Sequence, residues 1–134
     1  MFKVKSYRSF PMKLYYAHPM PFYGTKHESN EKQQILKNFP QAEIIDPGTF
    51  QSNPEKRRLG MEFCFKLISK CKILVFSKFR GKITSGVGIE INFAISKGIE
   101  VFELNVKKLK KVKKPVDYLS ISETINLPGY YKNS

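Results

Sequence analysis

The sequence predicts an α/β fold, a doubly wound three-layer sandwich built on a mostly parallel sheet of four to five strands. Short apolar runs alternate along the chain with longer segments of helical periodicity. The stretches between successive apolar runs are too long for hairpin turns, which favours crossover connections. The central run, residues 72–76, has no polar interruption, as expected of a strand buried on both faces. Together these observations predict helices on both sides of a parallel sheet.

The first part of the chain predicts a strand, a helix and a second strand. The apolar run 13–17 ends at a His-Pro pair, which interrupts strand pairing. Residues 28–39 have acidic residues near their start and a proline directly after them, and these signals bound a helix. Residues 42–45 form the second apolar run, and Asp46 begins the Asp-Pro-Gly turn that ends it. A loop is expected over residues 48–58.

The second part predicts a helix, a strand, a helix and a fourth strand. Residues 59–70 place apolar side chains at helical spacing, and the buried strand 72–76 follows them. Residues 87–97 predict the next helix, which Gly98 ends as a C-terminal cap. The apolar run 99–104 completes the β-α-β-α-β-α-β order, which is typical of flavodoxin-like and Rossmann-like sheets.

The most basic segment begins at Lys107 and ends at Lys114. It holds six lysines of a chain whose formal net charge is +13. We expect it to be a loop that leads to a candidate fifth strand at 115–119, and a second basic segment forms an N-terminal arm at 1–12. A solvated, solubilising loop is the favoured interpretation because no aromatic residue interrupts the lysines, and weak nucleic-acid binding is the alternative.

Composition points to a single cytoplasmic domain over residues 13–134. No apolar run approaches the length of a membrane span, and the N-terminus lacks the apolar core of a secretory signal. Cys64 and Cys71 are too few for a disulfide framework, and with only His18 and His27 they do not suggest a zinc site. We therefore expect reduced thiols that act as small core hydrophobes, and neither a metal nor a cofactor.

Ligands of doubly wound sheets bind beyond the carboxyl ends of the strands. This rule selects three loops here: residues 18–25, 46–51 and 77–88. His18 follows the first strand, where it would bind phosphate or supply a proton, or else simply pack at the strand end. Asp46 follows the second strand, where it would hold a ribose hydroxyl, although a role within its own turn is favoured.

The loop before the last predicted helix is the most informative. Thr84 and Ser85 supply hydroxyl groups, and Gly86 and Gly88 allow a close approach of the backbone to a phosphate at the helix N-terminus. Glu90 falls in the predicted first turn, where the helix dipole favours its ionised form. A carboxylate beside a phosphate-binding turn suits attack on a sugar carbon with oxocarbenium character. The alternative is a tight turn whose glutamate merely caps the helix.

The chain resembles the nucleoside 2-deoxyribosyltransferases over roughly residues 13–104. The segments that resemble that family are KLYYAHPM, EIIDP, CKILVF and SGVGIEINFAISKGIEVFEL. The turn SGVGIE is most similar to that of the 2′-deoxynucleoside 5′-phosphate N-hydrolases. The resemblance implies cleavage of the N-glycosidic bond of a deoxynucleoside or its 5′-monophosphate.

The same resemblance implies roles for individual residues. Glu90 would be the nucleophile, and Thr84 would bind the 5′-phosphate together with the backbone of Gly86 and Gly88. Tyr15, or its neighbour Tyr16, would line the sugar site. A partner subunit often completes the site in this family, so a homodimer is expected, with the tail at 130–131 as a candidate contact.

Three features depart from the family pattern, and one of them is the His18-Pro19 pair, which replaces the glycine- and serine-rich first loop of the hydrolases. The helix before the third predicted strand has Cys64 where the family has a second carboxylate, and Glu62 is the nearest acid. Transferases usually have an aspartate at the position of Thr84. Two rival functions therefore stay open: a non-catalytic nucleotide- or nucleic-acid-binding module, and, with less support, a flavin-binding electron carrier.

Overall fold

The computed structural model describes residues 11–50, 60–106 and 108–131, without the side chains of residues 49 and 50. Most of the predicted basic arm at 1–12 and of the predicted loop at 48–58 lies outside these ranges. No helix within them has the length and apolar character that crossing a bilayer requires.

Five strands form one sheet in the order β2-β1-β3-β4-β5. The strands are β1 Met12–Ala17, β2 Ala42–Ile45, β3 Ile73–Phe76, β4 Glu100–Asn105 and β5 Lys108–Val112. The first four are parallel to one another, and β5 runs antiparallel to β4. The predicted α/β class with a mostly parallel sheet is confirmed.

Helices cover both faces of the sheet. The helices are α1 Lys26–Asn38, α2 Met61–Ser69, α3 Ser85–Ser96 and the short C-terminal α4 Ile121–Ile125. Because side chains alternate along a strand, β1 directs Tyr15 into the core beneath α2 and α3, and Tyr16 into the core beneath α1. The chain reverses its winding direction between β1 and β3, and this switch point is where such sheets bind ligands.

The fifth strand lies in the lysine run, so the predictions of a loop there and of a strand at 115–119 are both wrong. Leu109 and Val112 are half-buried and pair with Leu104 and Val101 of β4, while the intervening lysines face solvent. Residues 115–119 instead cross α3, because the Asn92 side chain bonds both the backbone N–H and the carbonyl of Val116, at 2.8 and 3.0 Å.

The C-terminal residues 118–131, here named the strap, fold back over the start of α3. The Leu119 amide donates to the Ile83 carbonyl at 3.0 Å, and Arg80 Nε donates to the Pro128 carbonyl at 2.6 Å. Tyr130 is buried against the Phe79 ring of its own chain. Tyr130 is therefore part of this subunit's own packing, and the homodimer stays a prediction.

Glycine is required at residue 88 by close packing with the strap. A Cβ atom at Gly88 would lie 2.2 Å from Cγ of Tyr118, whereas one at Gly86 would meet nothing within 4 Å. The two glycines occupy the same helix, so alanine at either one gains the same intrinsic helix propensity.

We expect Gly88→Ala to lower the free energy of unfolding by about 1–3 kcal/mol, because the methyl group displaces Tyr118. Gly86→Ala should raise it by up to about 1 kcal/mol. Chemical denaturation of both variants measures the difference. The Tyr118 Cβ would itself lie 2.3 Å from the new methyl group, so adding Tyr118→Gly, which removes that atom, should relieve the clash. An equal effect of Gly88→Ala and Gly86→Ala would contradict this account.

Candidate functional site

A cavity of about 350 Å³ lies at the carboxyl ends of β1 and β3. Its walls come from the loop after β1, the start of α2, the first turns of α3 and the strap. The walls are largely apolar, with Met20, Met61 and Ile89 among their side chains. The sequence prediction of a ligand site at this edge of the sheet therefore coincides with a cavity.

Helix α3 begins at Ser85, two residues earlier than predicted, with Thr84 as an extended N-cap residue. Glu90 consequently lies in the second turn of the helix and not in the first. The Thr84 side chain makes no capping hydrogen bond to the helix. The attraction between the helix dipole and a carboxylate decreases beyond the first turn, so it contributes less at Glu90 than the sequence suggested.

Glu90 borders the cavity, and the residue as a whole is 6% exposed. It accepts a hydrogen bond of 2.5 Å from the Tyr15 hydroxyl. Burial raises the pKa of Glu90 to about 7, although hydrogen bonds from Tyr15 and Cys64 act in the opposite direction. Burial therefore opposes the ionised form that the helix dipole was expected to favour, and with a pKa of about 7 both protonation states are populated near neutral pH.

Tyr15 supports Glu90 from behind the cavity wall. Its side chain is fully buried within β1, and burial together with the Glu90 charge raises the pKa of Tyr15 above its ordinary value. The hydroxyl therefore stays protonated and acts as a donor. Tyr16 lies on the opposite face, where its hydroxyl donates to Glu31 at 2.5 Å. Strand alternation thus brings Tyr15, and not Tyr16, to Glu90. Neither tyrosine lines the cavity, so the expectation that one of them lines the sugar site is not met there.

Cys64 on α2 also borders the cavity, close to Glu90 and Tyr15. Burial is the largest cause that raises the pKa of its thiol to about 11, so the sulfur is protonated at neutral pH. Cys71, in contrast, is buried in the core and donates its S–H to the Leu67 carbonyl at 3.3 Å. The prediction of a core cysteine suits Cys71, whereas Cys64 is part of the candidate site.

The start of α3 presents donors to the cavity, but fewer than predicted. Thr84, Ser85 and Gly86 line it, and the amides of Gly86 and Val87 have no acceptor among the described residues. The Ser85 amide already donates to Thr124 Oγ1 at 2.9 Å. The Gly88 amide donates to the Thr84 carbonyl at 2.9 Å, and its Cα faces Tyr118 of the strap. Gly88 therefore serves packing and does not reach the cavity.

His18 has both ring nitrogens engaged inside the protein. Its Nε2 lies 2.6 Å from Glu28 Oε2, and its Nδ1 lies 3.1 Å from the Tyr16 carbonyl oxygen. The ring is stacked on Tyr16 at a centroid distance of 3.8 Å. Although His18 borders the cavity, these contacts favour the packing role over direct ligand binding.

Asp46 has structural partners for both carboxylate oxygens. Lys32 Nζ lies 2.6 Å from Oδ2, and the Gly48 amide donates to Oδ1 at 2.7 Å. The Gly48 contact is the turn interaction that the sequence favoured. His18, Glu28 and Asp46 place one possible metal-ligand atom each within 4.8 Å of one another. The Lys32 ammonium beside Asp46 supplies positive charge to this cluster, which therefore joins β1, α1 and β2 as an internal polar network.

Sequence reasoning missed the contribution of the strap. Ile121, Thr124 and Ile125 of α4 all line the cavity. A signal for the helix itself was present, because Ser120 and Glu123 have the spacing of a capping box, and the structure contains both of its hydrogen bonds. No local pattern indicates that this helix lies over the start of α3.

The raised pKa of Glu90 predicts how stability depends on pH. An unfolded glutamate titrates near 4.5 and the folded one near 7. Between these values the folded protein binds more protons, so stability falls as pH rises through the window. Replacing Glu90 by glutamine should remove this contribution, which is at most about 3 kcal/mol. Urea denaturation from pH 4.5 to 8 measures it.

The control for this experiment is Glu62→Gln, at an exposed position of α2. Its free energy of unfolding should follow the wild-type pH dependence. A Glu90→Gln curve parallel to that of the wild type would show that the carboxyl group is not desolvated in the folded protein.

No family model, curated protein or solved structure matches this chain. The resemblance to the nucleoside 2-deoxyribosyltransferases consequently has only the residues themselves as support, and the site must be judged by its geometry.

Proposed function

We propose that this protein cleaves the N-glycosidic bond of a deoxynucleoside or its 5′-monophosphate, with Glu90 as the nucleophile. The observation that supports this most directly is the Glu90 carboxyl group at the wall of a cavity, fixed by the 2.5 Å hydrogen bond from Tyr15. A carboxylate held in one orientation beside an apolar cavity suits attack on a sugar carbon, because positive charge develops there as the base departs.

The proposed reaction has two steps. The ionised carboxylate of Glu90 attacks C1′ while the bond between C1′ and the base nitrogen breaks, and the departing base takes up a proton from water. A covalent glycosyl ester results. Water, or the nitrogen of a second base, then attacks C1′ as the ester bond to Glu90 breaks, and its proton neutralises the hydroxide that the first step left in solvent. Tyr15 acts as a positioning residue throughout, since its hydroxyl reaches Glu90 and does not line the cavity.

The cavity offers surfaces for the other parts of the ligand. The rings of Tyr23 and Tyr130 lie in its wall, where a planar base can stack on an aromatic side chain. Ser85 and Gly86 at the start of α3 line the same cavity, and we expect the Ser85 hydroxyl and the Gly86 amide to donate hydrogen bonds to the 5′ end of the sugar. The aromatic part of the wall would contact the flat base of a nucleoside, and the polar part at the start of α3 would contact its sugar.

A non-catalytic binding module is the second candidate, and one observation favours it. Among the described residues that line the cavity, Glu90 is the only carboxylate, and Cys64 occupies the neighbouring position on α2. No second acid of this wall is available to protonate the departing base, which general acid catalysis usually requires. As a binding module, the protein would hold a nucleotide in this cavity without cleaving it. The exposed lysines of β5 would add weak electrostatic contacts to nucleic acid.

Incubation with each of the four deoxynucleosides and their 5′-monophosphates should release free base, which chromatography detects. Glu90→Gln should lower the rate by about a hundredfold or more, because the amide is not a nucleophile. Tyr15→Phe should lower it by about tenfold through loss of one hydrogen bond to a charged group. Glu62→Gln is the matched carboxyl-to-amide control and should retain the wild-type rate.

Base release in the Glu90→Gln variant at the wild-type rate would disprove the assignment of the nucleophile. Binding of a nucleotide without any base release would leave the second candidate. A salt titration of binding to single-stranded DNA then tests the lysines of β5, since electrostatic binding weakens steeply as salt increases.

The rate should also depend on pH with a single rising limb. Only the ionised form of Glu90 attacks, and burial raises the pKa of that group to about 7. The rate should therefore increase about tenfold per pH unit below 7 and level off above it. A rate that is flat from pH 5 to 8 would contradict a titrating nucleophile, and the profile is measured with saturating substrate.

A further inference from the structure

We propose that Thr124 makes the cavity select unphosphorylated nucleosides over their 5′-monophosphates, by occupying the Ser85 amide, the first of the backbone donors at the start of α3. This inference rests on the proposed function, because it names which of the two substrate classes the site accepts. It assigns a specificity-determining role to the strap, which the sequence did not connect with the site.

The first support is the contact between the strap and α3. The amides at the start of a helix are the groups that bind phosphate in many α/β proteins. Here the first of them, Ser85 N–H, donates to Thr124 Oγ1 at 2.9 Å. Thr124 is 4% exposed, so it is largely shielded from solvent at this contact. A phosphate could still accept from the Gly86 and Val87 amides, which have no acceptor among the described residues, but it would gain the Ser85 amide only by displacing Thr124.

The second support is the charge of the cavity. Among the described residues that line it, none is a lysine or an arginine. Two lysines near this edge of the sheet are paired elsewhere, Lys32 with Asp46 at 2.6 Å and Lys78 with Glu103 at 3.3 Å. A phosphate dianion would share the cavity with the Glu90 carboxyl group and lose its hydration, and no cationic side chain of the described wall would compensate.

The third support is that the strap is fastened on both sides of Thr124. Before it, the Leu119 amide bonds the Ile83 carbonyl, and after it, Arg80 bonds the Pro128 carbonyl. Ile121 and Ile125, one turn apart on α4, present apolar side chains to the same cavity. Thr124 is therefore held in place, and the surface beside it suits a neutral sugar hydroxyl better than a phosphate.

Calorimetric titration with each deoxynucleoside and its 5′-monophosphate tests the proposal. The wild type should bind the nucleoside about tenfold or more tightly than the monophosphate, in both 50 mM and 300 mM salt. Thr124→Ala frees the Ser85 amide and makes room beside it, so the preference should shrink by about three- to tenfold. Thr124→Ser keeps the hydroxyl and should keep the preference. Thr124→Val repeats the test if the alanine variant does not fold.

Each outcome bears on the proposal. Tighter binding of the monophosphate by the wild type, or an unchanged preference in both Thr124→Ala and Thr124→Val, would overturn it. If the preference is present but base release is absent, the proposed chemistry fails and the selectivity stands. If base release depends on Glu90 but monophosphates are preferred, the selectivity fails and the chemistry stands. Binding of neither class would overturn both.

Discussion

The hydrogen bond between Tyr15 and Glu90 joins the centre of the sheet to the helix that borders the cavity, and the rest of the site depends on it. Tyr15 lies on a fully buried stretch of β1, and Glu90 lies on α3, 75 residues further along the chain. An unpartnered carboxyl group at this depth would destabilise the fold. With the tyrosine as donor, the group is tolerated beside the cavity at a pKa of about 7. The hydrogen bond therefore lets the Glu90 carboxyl group be buried and still be ionised in part near neutral pH.

The fold could be predicted from the sequence where a local pattern is sufficient. The strand at 42–45 matches β2 residue for residue, and the other three predicted strands match β1, β3 and β4 within one residue at each end. The lysine run was misjudged because only Leu109 and Val112 are apolar there, and their burial depends on pairing with β4. That pairing is a tertiary effect which overrides local composition.

The site was partly predictable for the same reason. Thr84, Ser85, Gly86 and Glu90 lie together in sequence at the start of a helix, and all four border the cavity. Asp46 lies outside the cavity wall, because Lys32 and Gly48 bind its oxygens. Gly48 belongs to the turn of Asp46 itself, and the sequence favoured that contact, whereas Lys32 lies on α1 and Thr124 lies on the strap. No periodicity or spacing near Ser85 indicates which distant residue accepts its amide hydrogen.

The placement of the lysines on β5 has a consequence for how copies of this chain behave in concentrated solution. β5 is one of the two edge strands of the described sheet. Its unpaired side presents backbone groups that are able to pair with a strand from another molecule. Ammonium groups at Lys108, Lys110 and Lys111 surround that edge, and only Lys111 is neutralised within the described residues, by Glu100 at 2.6 Å. Mutual repulsion keeps such edges apart at low ionic strength. At molar salt the repulsion between lysines of two molecules extends only about 3 Å. The charges then no longer protect the edge, and the backbone geometry of β5 alone determines whether two copies pair there.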